Sequence, residues 1–145
     1  MKYIKLIFFL CLMSSYSVNA NAQDFSPHQW ENRLVLILVD NPENIKYLKQ
    51  VKEFKNHVDG IQERKILVYH ITPEKFKVGL SDEAWQQSKT NFKRYKETNS
   101  QPEIILIGLD GGVKLRANEF LSSKKLFATI DVMPMRRQEM RRKNN

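Results

Sequence analysis

Short runs of apolar residues, each bounded by turn-forming residues, dominate the pattern along the chain. The run at 34–39 holds six apolar residues in succession, and the run at 104–107 holds four. Unbroken runs of branched residues are typical of strands that are buried on both faces. A further strand is predicted at 65–71. The alternation of 113–116, after the turn Asp110-Gly111-Gly112, predicts an edge strand.

Apolar residues three or four positions apart predict three helices among these strands. Asn41 is the predicted N-cap of the first helix, Pro42 its first residue, and Gly60 its end. A loop at 72–80 separates the second strand from a second helix that begins at Ser81 or Asp82. A third helix begins at Ser122 or Ser123. The residues predicted to face the core are Ile45, Leu48, Val51, Phe54 and Val58 in the first helix, Trp85, Phe92 and Tyr95 in the second, and Leu126, Phe127, Ile130 and Met133 in the third.

The order of these elements predicts an α/β fold, βαβ-α-ββα, built on a four-stranded mixed sheet. A strand–helix–strand unit favours a parallel crossover, whereas the short Asp-Gly-Gly turn makes the last two strands antiparallel neighbours. The purely apolar first and third strands are predicted to be central and the other two to be edges. The resulting strand order is 2-1-3-4 with helices on both faces, which is a thioredoxin-like arrangement. Pro102 begins the third strand, and its peptide bond is left open between cis and trans.

The first 22 residues have the pattern of a signal peptide. Lys2 and Lys5 precede an apolar stretch at 6–13, and small residues allow cleavage after Ala20 or Ala22. The apolar stretch is shorter than the roughly 20 residues that a membrane-spanning helix needs. We therefore expect an exported protein, periplasmic or secreted, whose mature chain is a single domain at 23–145.

Composition and charge sharpen this prediction. The whole chain has 145 residues, one cysteine and a net charge of +8. Cleavage after Ala22 would remove Lys2, Lys5 and Cys11, leaving a net charge of +6 and no thiol. Disulfide exchange and cysteine peroxidase chemistry both require a thiolate, so the mature chain is predicted to perform neither.

Several motifs resemble those of a bacterial family of exported domains of unknown function. They are the stretches 108–116 and 130–140, joined by 30–34 and by Glu63-Arg64. That family is similar to the peroxiredoxin-like, thioredoxin-fold domains of sushi-repeat proteins and equarin. The resemblance implies a thioredoxin-like fold and kinship to redox proteins, without an established activity. Leu109 and Lys65 depart from the pattern, where a lysine and an aspartate are expected.

Two groups of side chains are candidates for ligand binding near the strands. Asp40 and Asn41 lie where redox relatives of this fold carry the reactive cysteine, and they form either a polar pocket or only a capping turn. Arg64 joins Asp40 in a possible non-thiol active site. Asp110, Lys114 and Arg116 surround the edge strand, where they either bind a partner or protect the edge with charge.

The C-terminal segment 134–145 is strongly basic. Arg136, Arg137, Arg141 and Arg142, together with Lys143, face a single acid, Glu139. Such a segment is either a solvated helix end or a binding site for anions. In an exported protein the anions would be envelope components or acidic proteins rather than nucleic acid.

Three functional hypotheses follow. The first is a non-catalytic binding or accessory domain, the second a binder of anionic envelope components through the basic end, and the third a non-thiol enzyme near the first strand–helix turn. The three histidines lack metal-ligand spacing, and no cofactor motif is present, so neither a metal nor a cofactor is predicted.

Overall fold

The computed structural model describes residues 24–87, 89 and 91–143. The predicted signal peptide at 1–22, its cleavage sites at Ala20 and Ala22, and Cys11 lie outside this part of the chain. The described residues begin with a short 3-10 turn at Ser26–His28. The strands are β1 (Arg33–Leu38), β2 (Ile66–Ile71), β3 (Lys75–Val78), β4 (Gln86–Gln87), β5 (Glu103–Ile107) and β6 (Val113–Ala117), and the helices are α1 (Ile45–Lys55), α2 (Val58–Glu63), α3 (Phe92–Tyr95), α4 (Ser123–Asp131) and α5 (Pro134–Lys143).

The strands form one mixed sheet in the order β4-β3-β2-β1-β5-β6. β1 pairs in parallel with β2 and antiparallel with β5, and the β5–β6 pair is antiparallel. The α/β class and the order of the four predicted strands are therefore confirmed. The prediction of a four-stranded sheet is wrong, since β3 and β4 extend it and make β2 an inner strand. The missed signal was the alternation Lys75-Phe76-Lys77-Val78, which is a strand pattern inside the predicted loop.

The predicted second helix is also wrong. Its region contains the two-residue strand β4, and among its described residues only Phe92–Tyr95 are helical. The indole of Trp85 instead packs edge-on against His70, with 6.4 Å between ring centroids, and Lys75 and Lys77 reach over its face. Because these partners lie on neighbouring strands, tertiary contacts hold this segment extended although its aromatic spacing favours a helix.

The first predicted helix is interrupted and rotated relative to the prediction. α1 ends at Lys55, and α2 runs through Gly60 rather than ending there. The N-cap of α1 is Asn44, whose side chain accepts hydrogen bonds from the backbone of Lys46 and Tyr47. Asn41 was predicted to be this N-cap, but it caps only a turn. A step of three residues falls about 60° short of a full helical turn, so a stripe at that spacing winds around the helix.

That winding explains which side chains of α1 reach the core. Ile45 is 82% exposed and Leu48 is 52% exposed, although both were predicted to face the core. Val51 and Phe54, further along the same stripe, are buried together with Tyr47 and Gln50. Gln50 is polar, but its side chain is satisfied in the core because it hydrogen-bonds both the carbonyl and the amide of Leu121 at 2.8 Å.

The sheet separates two apolar clusters. β1 supplies both, with Val35 and Ile37 on the face covered by α1, α2 and α4, and Leu34 and Leu36 on the opposite face. This alternation confirms that the unbroken apolar run is buried on both sides. The second face is covered by α3 and by Phe25, so helices do lie on both faces, although one of them is a single turn.

Candidate functional site

The turn that joins β1 to α1 is tied to the loop that precedes β5. The backbone N–H of Asp40 donates to Gln101 Oε1 at 2.9 Å, and Gln101 Nε2 donates to Asp40 Oδ2 at 2.5 Å. The peptide bond between Gln101 and Pro102 is cis. Asn41 is occupied locally, since its Oδ1 accepts from the backbone of Glu43. Asp40 Oδ2 and Asn41 Oδ1 therefore both accept hydrogen bonds within the chain, and they hold the turn together.

A groove opens beside this turn, and we call it the Pro102 groove. It has a volume of about 310 Å³. Past Gln101 it continues into a shallower hollow that borders Asn44 and Ile45. The groove is lined by Lys46, Lys49, Gln101, Pro102, Asn118, Glu119 and Phe120.

The rim of the Pro102 groove combines apolar and cationic side chains. Phe120 is 44% exposed, and Lys49 Nζ lies 5.0 Å from the centroid of its ring. Ile45, which is 82% exposed, adds an apolar side chain in the adjoining hollow. Exposed apolar side chains in such a cluster are a feature of interaction surfaces rather than of ordinary solvent-facing helices. No sequence pattern joins Lys46 and Lys49 to Phe120, because only the fold brings α1 next to the segment that follows β6.

A buried carboxylate fixes the loop that forms one wall of the groove. Glu103 is completely buried, and it accepts hydrogen bonds from Arg116, Lys96 and Thr98. Burial alone would raise the pKa of Glu103, but these donors, together with the backbone N–H of Thr98, hold its pKa below the usual value. Lys96 also donates to the carbonyl of Ser100. The ionised carboxylate thus anchors the residues immediately before Pro102.

Arg116, a candidate from the sequence, belongs to this anchor. Its guanidinium contacts Glu103, Glu97 at 2.9 Å and the carbonyl of Tyr95 at 2.8 Å. Lys114 points to a different partner, Asp110, whose Oδ2 lies 2.6 Å from Lys114 Nζ. That hydrogen bond, and one from the backbone of Gly112, lower the pKa of Asp110. The three candidates around the edge strand therefore form three ion pairs in two separate groups within the domain, one at Asp110 and one at Glu103.

Six charged side chains form a second cluster at the opposite end of β1, which we call the Arg136 network. Arg33 is 1% exposed and contacts Glu139 at 3.3 Å. Arg136 is also buried and contacts Asp131, Glu63 and Glu139. Arg64 completes the network by a two-point contact with Asp131, at 2.9 and 2.6 Å. The members are Arg33, Glu63, Arg64, Asp131, Arg136 and Glu139.

The electrostatics of this network stabilise α5. Burial alone would lower the pKa of Arg136, but its carboxylate partners raise that pKa above its usual value. Burial alone would raise the pKa of Asp131, but Arg64 and Arg136 lower it. Of the side chains on α5 only Arg136 is buried, so ion pairs rather than apolar packing attach the helix to the domain.

The positions of the candidates separate the functional hypotheses. Asp40 follows β1, whereas Arg64 precedes β2, which runs parallel to β1, so they lie at opposite ends of the sheet. The length of the six-residue strand β1 puts about 20 Å between these ends. Arg136 is inside the domain. Arg137, Arg141 and Arg142 are exposed on α5, and none of them has an ion-pair partner in the described part of the chain.

Neither metal binding nor membrane crossing has a site in the described residues. No group of three or more His, Cys, Asp or Glu side chains there is arranged to hold a metal ion. No helix in the same residues is long and apolar enough to span a bilayer.

The fold and the Pro102 groove define an α/β domain with a mixed apolar and basic surface. Comparison of the sequence with models of known protein families identifies the family of the chain. The model of the family described as Domain of unknown function (DUF4174) matches residues 24–139, and the chain belongs to this family. No curated protein and no solved structure matches the sequence.

Proposed function

We propose that this protein is an exported, thioredoxin-like binding domain that holds an extended acidic segment of a partner protein in the Pro102 groove. The strand order β2-β1-β5-β6, with its parallel and antiparallel pairs, supports the thioredoxin-like assignment. The family that the motifs resemble is itself similar to the domains of sushi-repeat proteins and equarin, which supports the same assignment.

The contact between Asp40 and Gln101 is the observation that favours binding over redox chemistry. It occupies the strand–helix turn at which thioredoxin-like redox proteins carry a thiolate. The only cysteine of the chain is Cys11, within the predicted signal peptide. Without a thiol, the turn supplies neither a nucleophile nor a disulfide partner. We therefore assign partner binding, rather than thiol chemistry, to this end of the sheet.

The groove favours a partner with carboxylates and apolar side chains. Lys46 and Lys49 bring two positive charges to one wall, against the single carboxylate of Glu119 on the other. Phe120, together with Ile45 in the adjoining hollow, offers apolar contacts beside those charges. The combination suits an extended chain, in which side chains alternate between the lysines and the apolar residues.

Site-specific photo-crosslinking in intact cells tests the proposal. A photoreactive residue at position 45 is expected to capture a specific protein, because Ile45 is 82% exposed at the groove. The same residue at Val132, which is 61% exposed on a different surface, is the control. Identical products from the two positions, or none from position 45, would contradict a partner in the groove.

Charge reversal tests the chemistry of recognition. The double variant Lys46→Glu/Lys49→Glu is expected to lose the crosslink, because it repels an acidic segment. The variant Lys93→Glu/Lys124→Glu changes the net charge equally at exposed lysines outside the groove, and it should retain the crosslink. Retention by both variants would show that the lysines of the groove do not recognise the partner.

Export is tested separately, by N-terminal sequencing of the protein isolated from the envelope and medium. We expect the mature chain to start at Asn21 or Gln23. A mature chain that retains Cys11 would contradict both export with cleavage and the exclusion of thiol chemistry.

Attachment of an anionic envelope component by α5 is a second candidate function. Arg137, Arg141 and Arg142 are exposed and support this function. The acid nearest to them on α5, Glu139, already pairs with Arg136 and does not neutralise them. Replacing the three exposed arginines with glutamine should abolish retention on isolated envelopes. Retention by the unchanged protein should weaken steeply between low and high salt. Salt-independent retention would exclude this function.

The non-thiol enzyme receives no such support, since Asp40 and Arg64 lie at opposite ends of the sheet and share no site.

A further inference from the structure

A cavity of about 220 Å³ lies on the other face of the sheet from the Pro102 groove, toward the opposite end of β1. We call it the Arg94 cavity. It is enclosed by the turn at Ser26–His28, the start of β1, α3 and the turn between β5 and β6. At about 30 Å³ per water molecule it has room for about seven waters. Drug-sized ligands occupy roughly 300–1,000 Å³, so this cavity suits a smaller molecule.

The floor and walls of the Arg94 cavity are apolar. Leu34 and Ile107 form the floor, and both are buried members of the cluster on this face. The rings of Phe25 and Tyr95 also line the cavity, and they contact each other with 5.8 Å between their centroids. A flat or short apolar group therefore finds contacts with Leu34, Ile107 and this aromatic pair. Gly108 and Gly111, which lack side chains, line the cavity as well.

Polar groups with free hydrogen-bonding capacity converge at the mouth of this cavity. The guanidinium of Arg94 lies over the ring of Tyr95, at 5.6 Å from its centroid, and has no hydrogen bond or ion pair within the described chain. The side-chain amide of Asn32 has no such partner there either. His28 uses Nε2 to contact the Tyr69 hydroxyl at 2.6 Å, which leaves Nδ1 available.

One acid also lines the Arg94 cavity, and its oxygens are already occupied. Asp24 accepts from the backbone N–H of Ser26 at 2.9 Å and from its hydroxyl at 2.6 Å. Asp24 keeps its negative charge, because these Ser26 hydrogen bonds and the coulombic interaction with Arg94 lower the pKa of Asp24. Because Asp24 and Arg94 form no hydrogen bond or ion pair in the described chain, the guanidinium donors of Arg94 remain available to a ligand. A guanidinium forms two parallel hydrogen bonds with a carboxylate, and Asn32 adds a further donor.

We infer that the Arg94 cavity binds a small organic carboxylate whose apolar body packs on Leu34 and Ile107, beside the Phe25–Tyr95 ring pair. This site is distinct from the Pro102 groove. Whether or not a carboxylate binds in the Arg94 cavity, the proposed function of the groove is unaffected. Benzoate is a suitable probe because it combines one carboxylate with a flat apolar ring. Benzamide has the same shape without the charge.

Titration of the purified protein with sodium benzoate, followed by ¹H–¹⁵N NMR, tests the inference. We expect saturable shifts of the amide signals of Gly108 and Gly111, and binding of benzamide weaker by at least about tenfold. Absence of shifts at these glycines, or equal binding of the two probes, would overturn the inference.

Variants of α3 separate specific recognition from general attraction to a basic protein. Arg94→Gln should weaken benzoate binding by at least about tenfold, whereas Arg94→Lys should retain part of it. Lys93→Gln removes the adjacent exposed charge, which does not line the cavity, and should change the affinity by less than about twofold. Equal losses in Arg94→Gln and Lys93→Gln would overturn the site. Each exchange is on an exposed position, so folding is not at issue.

Discussion

Arg33 and Glu139 are 106 positions apart, and their side chains meet 3.3 Å apart at the start of β1. Arg33 is almost completely buried, whereas Glu139 is 23% exposed at the side of α5. The pair therefore connects the first strand to the last helix. Because α5 lacks an apolar face, this contact and those of Arg136 decide whether the C-terminal helix is attached.

Glu139→Gln should destabilise the protein by roughly 2–3 kcal/mol. It leaves the charge of Arg33 buried without a full counter-charge. The loss should fall below the 3–5 kcal/mol typical of fully buried pairs, since Glu139 is partly solvated. Urea unfolding followed by circular dichroism measures the difference, and Glu83→Gln, an exposed exchange, is the control.

A double variant identifies the cause of that loss. Arg33→Met/Glu139→Gln removes the buried charge as well as its partner, so it should be more stable than Glu139→Gln alone. If the double variant is the less stable of the two, the buried charge is not the source of the destabilisation.

His70 should make the folded state sensitive to mild acid. It is completely buried, its Nε2 donates to the carbonyl of Gly79 at 2.8 Å, and its Nδ1 accepts from the Tyr47 hydroxyl at 2.9 Å. Burial, assisted by the charges of Lys77 and Lys55 and opposed by the Gly79 contact, lowers the pKa of His70 from 6.5 to about 4. Burial also raises the pKa of Tyr47 to about 12, so the hydroxyl keeps its proton.

The sign of the effect follows from proton binding. Between pH 6.5 and about 4 the unfolded chain binds a proton at His70 that the folded chain does not, so stability falls as the pH falls. The expected loss from pH 7 to pH 5 is about 2 kcal/mol. Urea unfolding at both pH values should show this loss for the unchanged protein and for His57→Gln. His70→Gln, although less stable at pH 7, should lack it, and an equal loss in that variant would assign the acid sensitivity to other groups.

Lys65→Asn should stabilise the protein. Lys65 has a φ of 52° at the end of α2, and its backbone N–H bonds the carbonyl of Gln62. A lysine is strained in this left-handed region, whereas asparagine and glycine adopt it readily. We expect a gain of about 0.5–1 kcal/mol in unfolding experiments. Lys52→Asn, in the middle of α1, should instead lower stability because asparagine is a poorer helix former. The same sign for both variants would refute the conformational explanation.

Gly60→Ala should destabilise α2 even though alanine favours helices. A Cβ at position 60 would lie 2.5 Å from Cε2 of Phe127, whose ring carries the Arg64 guanidinium at 4.2 Å. The resulting overpacking costs about 1–3 kcal/mol, against a gain of about 1 kcal/mol in helix propensity. Thermal unfolding should therefore show a net loss of about 1 kcal/mol.

The Phe127→Leu background provides the check on that explanation. Leucine removes the ring that the added methyl would meet, so Gly60→Ala should be neutral or stabilising there. An undiminished loss in the Phe127→Leu background would mean that the close approach of Gly60 and Phe127 is not the cause.

Local patterns determined most of the sheet. The run at 34–39 encoded a strand buried on both faces, because alternate side chains of one strand face opposite sides. The turn at Asp110–Gly112 encoded the antiparallel β5–β6 pair, and Ser122 encoded the start of α4, where it caps the backbone of Lys125. Each of these features depends on residues within a few positions of one another, so sequence alone was sufficient.

Tertiary structure decided the features that depend on distant partners. The chain is extended in β3 and β4 because Phe76 and Trp85 pack against neighbouring strands. The spacing of the aromatic residues after position 81 favours a helix, and it contains no information about these contacts. Arg136 pairs with Glu63 and Asp131, and Arg64 pairs with Asp131, only because folding brings α2, α4 and α5 together. The Pro102 groove likewise exists only because folding puts α1 beside Phe120. Charge and periodicity are properties of a segment, whereas burial and pairing belong to the whole fold.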